Sequence, residues 1–170
     1  CEFLLAKGKD QMVEILKRKD WNTIKLLKSQ YIKYLREYYF VGGMPEAVNC
    51  FITTNDAVRV RKVQNDILFT YQKDISKHVP TVESNRINMV WQSMPSQLVK
   101  ENKKFIYGVA KPGGRAKDFE VAIQWLMDAG LVYKAERITE PKTPLKFYLD
   151  ISSFKLFLLD CGLLGAMSET

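Results

Sequence analysis

Few residues in this chain could do covalent or metal chemistry, and their spacing argues against most of it. Cys1, Cys50 and Cys161 are the three thiols, with no two close in sequence. An odd, scattered set argues against a disulfide framework or a CxxC metal knuckle and reads as reduced thiols in a cytoplasmic protein. Cys50 and Cys161 sit among apolar neighbours, as buried thiols do. His78 is the single histidine, so a zinc site would lack ligands. In Ser76-Lys77-His78-Val79-Pro80 it stands at an expected helix end, where an imidazole caps carbonyls. No catalytic residue and no metal ligand is expected.

One loop imitates a phosphate-binding motif. Gly108-Val109-Ala110-Lys111-Pro112-Gly113-Gly114-Arg115 follows a short β-prone stretch and precedes a helical pattern. A P-loop needs a lysine to reach the β- and γ-phosphates and a hydroxyl residue to hold Mg²⁺. Gly114 and Arg115 occupy those two places, so nucleotide hydrolysis by this segment is not expected.

The elements that must position these residues are helices first and a mixed region after. Asp10–Lys19 reads as a short helix. A longer one opens at Trp21, with Ile24, Leu27, Tyr31, Tyr34, Leu35 and Tyr38 on one face, and ends at Gly42-Gly43. Tyr31, Tyr34, Tyr38 and Tyr39 are read as core and interface residues. Pro45 suits the first turn of the next helix, Pro45–Phe51. Asp56 is expected to cap a helix reaching Lys77, and Ser84 or Asn85 to open one that Pro95 stops. A helical turn follows over 96–101. Phe105–Tyr107 is β-prone, and Arg115–Ala129 is a helix closed by Gly130. Leu131–Ile138 and Leu145–Ile151 pair around a turn, and a last helix, Phe154–Asp160, is capped by Ser152 or Ser153. The expected fold class is mainly α. A helical lid-like bundle over residues 1–80 is followed by a winged-helix-like module with a two-stranded wing over 81–170.

Composition agrees with a soluble globular chain. Of 170 residues, 46% are hydrophobic and 26% charged, which argues against disorder, and no apolar run is long enough to cross a membrane. The net charge is +7, and it is uneven: residues 1–38 carry +4 and residues 98–120 carry +3. The second block contains Lys103, Lys104, Lys111, Arg115 and Lys117, the last two at the start of the expected recognition helix. Side-chain cations and free amides there could meet phosphate, making duplex DNA a candidate partner. A solvated lysine face is the plainer alternative, and a protein-docking surface the third.

Several blocks, taken in order, carry a resemblance. They are Tyr38-Tyr39-Phe40-Val41-Gly42-Gly43-Met44-Pro45-Glu46-Ala47-Val48, Asp66-Ile67-Leu68, Tyr71-Gln72-Lys73-Asp74, Phe119-Glu120-Val121-Ala122 and Asp160-Cys161-Gly162-Leu163-Leu164. Together they resemble the region of unknown function that follows the P-loop core in bacterial and archaeal AAA-type, STAND-like ATPases. The resemblance covers about Phe3 to Met167. It implies an ATPase core upstream, using ATP and Mg²⁺, and a nuclease-like segment downstream, with this chain a piece between them holding no cofactor itself. It further implies that Gly42, Gly43 and Pro45 form a lid motif whose proline lies near a bound adenine. Glycine lets backbone approach closely, and proline offers a rigid apolar face. The plainer reading is a helix C-cap followed by a first-turn proline. The expectation is a non-catalytic regulatory segment that couples nucleotide state to an effector, with the Asp56–Lys77 helix transmitting lid position.

Overall fold

The computed structural model describes residues 1–99 and 104–169. It is mainly helical, in the order α1 (Glu2–Ala6), α2 (Asp10–Lys17), α3 (Trp21–Leu26), α4 (Lys28–Val41), α5 (Pro45–Thr54), α6 (Ala57–His78), α7 (Thr81–Val99), α8 (Tyr107–Ala110), α9 (Ala116–Asp128), β1 (Val132–Ile138), β2 (Leu149–Leu158) and α10 (Cys161–Ser168). The chain forms two compact units. Unit 1 is Cys1–Phe69 together with Asp160–Thr170, and unit 2 is Thr70–Leu159. Unit 2 is thus inserted in the sequence of unit 1: α6 begins in one unit and ends in the other, and the chain returns through Leu159 to Asp160.

Unit 1 is built around two apolar clusters. Phe3, Val41, Ala47 and Val60 bring together α1, the end of α4, α5 and α6. Leu4, Met12 and Val13 form the second, with Leu16, Tyr31 and Tyr34 against it. The Tyr31 hydroxyl donates to the Met12 carbonyl at 2.9 Å, so this polar tip is satisfied. Short acidic caps fix the helix starts. Asp20 accepts from the Thr23 hydroxyl and amide, which holds its carboxyl below the usual range. Asp56 accepts from the Val58 and Arg59 amides.

Unit 2 has the expected order of a winged helix: α7, the short α8, α9 and an antiparallel β1–β2 hairpin. Trp91 and Met94 of α7 and Phe119 and Leu126 of α9 are fully buried. The Phe105 amide donates to the Phe154 carbonyl at 2.7 Å, tying the chain before α8 to the outer edge of β2. Gln97 reinforces this junction: its amide nitrogen donates to the Ile106 carbonyl and its oxygen accepts from the Ile106 amide.

Several expected boundaries are corrected. The expected helix from Trp21 to Gly42-Gly43 is two helices, because the chain departs from helical geometry at Leu27. α7 starts at Thr81 and runs through Pro95 to Val99. Tyr107 and the following residues form α8, not a strand. Residues 154–158 of the expected 154–160 helix are the inner half of β2, and Asp160 caps α10. In β2 Phe154, Leu156 and Leu158 alternate inward with period two, and the last helix is α10 instead. The expected strand start at Leu145 is a 3₁₀ turn, Leu145–Tyr148, before β2. The expected turn over 96–101 falls partly outside the described residues.

The glycine-rich loop has a steric reason for its sequence. A Cβ on Gly114 would stand 2.8 Å from the Phe119 ring and 2.9 Å from the Lys111 carbonyl oxygen. Gly114→Ala should therefore destabilise unit 2 by about 1–3 kcal/mol, seen as a lowered thermal midpoint in circular dichroism. Gly108→Ala, whose Cβ meets nothing within 4 Å, should shift it much less.

Candidate functional site

The Gly-Gly motif lies where α4 ends. Gly42 has φ +77° and ψ −164°, a conformation almost restricted to glycine. The turn it makes is held from the far end of the sequence by Asp160. One carboxylate oxygen of Asp160 accepts from the Gly43 amide at 2.6 Å. The other accepts from the Leu163 amide at 2.8 Å, capping α10. A single buried carboxylate thereby ends one helix's exit turn and starts another helix. Hydrogen bonds to a charged acceptor contribute more than neutral ones, about 1.5–3 kcal/mol each.

Close backbone approach makes both glycines of this junction obligatory. A Cβ on Gly42 would sit 2.2 Å from an Asp160 oxygen. A Cβ on Gly162 would sit 2.5 Å from the Val41 carbonyl oxygen, so the first turn of α10 lies directly on the last turn of α4. The carbonyls that end α4 find their partners on α6. The fully buried Gln64 donates its amide nitrogen to both the Phe40 and Val41 carbonyls, each at 2.9 Å. Arg61 in turn donates to the Gln64 side-chain oxygen at 2.6 Å, to the Gly162 carbonyl at 3.3 Å and to Glu169 at 2.8 Å. Its guanidinium carbon lies 4.5 Å from the Phe40 ring centre. The Cys161 thiol donates to the Tyr38 carbonyl; burial, and then the charge of Asp160, push its pKa above the ordinary thiol value. That suppresses thiolate and nucleophilic reactivity at neutral pH.

Pro45 stands at the start of α5 and is exposed. With Gly43 it borders a largely apolar groove of about 840 Å³ in unit 1, walled by Leu16, Tyr34, Tyr38 and Ile52 among others. The motif residues are therefore together, and one side of the motif faces open space. Arg61, Gln64 and Asp160 are the partners that the motif by itself does not reveal. Gln64 leaves a signal: it stands four residues from both Val60 and Leu68, a polar residue inside a buried stripe.

The basic candidates are less concentrated. Lys104, Lys111, Arg115 and Lys117 are all exposed or nearly so, while Lys103 lies outside the described residues. Lys111 lines a cleft of about 480 Å³ in unit 2 with Arg86, Gly113, Gly114 and Asp118, and Arg115 and Lys117 do not line it. The Arg115 amide donates to Asp118 at 2.9 Å. The exposed face of α9 mixes Lys117 and Gln124 with Glu120, Asp128 and the apolar Val121. Among the described residues no group of His, Cys, Asp or Glu could hold a metal ion, and no helix is long and apolar enough to cross a membrane.

The junction predicts a specific non-additivity. Gly42→Ala and Asp160→Ala should each destabilise unit 1 by about 2–4 kcal/mol. In the double variant the methyl introduced at position 42 no longer meets a carboxylate, so the total cost should fall clearly below the sum of the two. Urea unfolding of the three variants measures this directly.

No curated protein and no solved structure matches the chain. A family model does, over residues 32–170, from within α4 to the last residue, a stretch that contains the whole Gly42–Asp160 junction. The chain belongs to the family described as a domain of unknown function, DUF8612.

Proposed function

We propose that this chain is a non-catalytic coupling segment of a bacterial AAA-type ATPase, in which unit 1 reads nucleotide state and unit 2 presents an effector surface. The observation that carries this reading is the construction around Gly43 and Pro45. The turn is held rigidly from behind by Asp160, and its open side borders an apolar groove walled by Tyr34 and Tyr38. A fixed proline and aromatic walls suit a planar, largely apolar group such as a purine. The chain's own connectivity supplies the coupling, since the residue that holds the turn, Asp160, follows directly on the last residue of unit 2.

Amide chemical-shift mapping tests this. ATP and AMP at millimolar concentration should perturb Gly43, Glu46 and Val48, ribose 5-phosphate should not, and Pro45→Ala should weaken the response severalfold. Absence of any perturbation by the adenine nucleotides, or an unchanged response in Pro45→Ala, would sink the reading.

A second reading, a DNA-binding winged helix, draws on the element order of unit 2 and on the basic side chains of Lys104, Lys111, Arg115 and Lys117. It predicts duplex DNA binding at low salt that falls steeply as salt rises and that is abolished by the paired change Arg115→Glu and Lys117→Glu. Fluorescence anisotropy with a labelled duplex decides it.

A further inference from the structure

Among the described residues β1 pairs with β2 alone, so one edge of β1 has no strand beside it. Which groups that edge offers follows from the ladder. The Leu159 amide donates to the Leu131 carbonyl, and the Thr139 amide to the Tyr148 carbonyl. In an antiparallel ladder the residues that exchange hydrogen bonds alternate. The odd-numbered residues of β1 therefore bond to β2, and Lys134, Glu136 and Ile138 direct their amides and carbonyls to the open edge; Val132, on the same side of the strand, is buried and closes the edge at its first residue. The register shift between Glu136 and Arg137 leaves this parity intact, because the bonds at both ends of the strand fall on odd residues.

The sequence of that edge is complementary to itself. In Tyr133-Lys134-Ala135-Glu136-Arg137, an antiparallel copy centred on Ala135 sets Lys134 opposite Glu136 and Tyr133 opposite Arg137, each twice. Opposite charges and a cation beside an aromatic ring are both favourable cross-strand pairs. The same register satisfies the backbone: even residues face even residues and can exchange hydrogen bonds. Ala135 meets its own copy at a non-bonded position, where strands approach closest and a small side chain fits. Tyr133, at 63% exposure, and Ile138 and Phe157 are apolar surface beside this edge. Lys134 and Glu136 already lie 3.0 Å apart in one chain, so pairing would join two ion pairs into a four-charge cluster.

We propose that the open edge of β1 is a self-association site, at which a second copy of this chain pairs antiparallel about Ala135. The test is sedimentation velocity of the full chain over a range of concentrations. The wild type should show a reversible monomer–dimer equilibrium. Lys134→Glu and Glu136→Lys should each remain monomeric where the wild type dimerises, because each sets like charges opposite one another twice. An equimolar mixture of the two variants should regain a dimer. In the mixed pair the glutamate introduced at position 134 faces the lysine introduced at position 136, and the native Lys134 of one chain faces the native Glu136 of the other. This last arm separates lost pairing from lost folding. A wild type monomeric at every concentration, variants that associate like the wild type, or a mixture that stays monomeric would each overturn the proposal.

Discussion

Unit 1 depends on one carboxylate. Asp160 gives one oxygen to the amide that follows the Gly42 turn and the other to a free amide in the first turn of α10. Both donors are otherwise unsatisfied helix-end or turn groups, and leaving such a donor buried without a partner costs about 1–3 kcal/mol. One side chain therefore removes two such costs and fixes where two helices meet. The surrounding residues follow from that choice. Gly42 must adopt its unusual backbone angles and lack a side chain because the carboxylate fills the space where a Cβ would be. Gly162 must be glycine because α10 then lies on the Val41 carbonyl. Gln64 reaches that same end of α4 and satisfies its last carbonyls, those of Phe40 and Val41.

This arrangement gives the Gly-Gly-x-Pro motif a role within the chain before any ligand is considered. Its two faces are distinct. Behind Gly42 and Gly43 lies Asp160, while Pro45 and the open side of Gly43 border the aromatic groove. A structural explanation of the glycines and a binding role for the proline are thus compatible. They also separate by residue: substitutions at Gly42 act on stability, and substitutions at Pro45 act on whatever enters the groove.

Much of this is legible in the sequence and some is not, for physical reasons. The cap at Asp56, the breaks at Gly42 and Gly130, and the helix–helix–hairpin order of unit 2 are written in local residue choice. The end of the chain reads wrongly as a helix because Phe154-Lys155-Leu156-Phe157-Leu158 is rich in large apolar residues whose spacing suits a short helix as well as a strand. Pairing with β1 and the bond from Phe105 decide it, and neither is local. The blocks around Gly42 and Asp160 stand out separately, but the hydrogen bond that joins them spans more than about a hundred residues. Only the buried Gln64 in an otherwise apolar stripe hints that a polar junction exists.

Native-state amide hydrogen exchange at Gly43 and Leu163 tests the role of Asp160 most directly. If its carboxylate holds both amides, they should open together, with the same free energy as the core amides of α4, and Asp160→Ala should lower both equally. Gly43 exchanging as fast as an exposed loop amide while Leu163 stays protected would contradict the idea that one carboxylate fixes the junction.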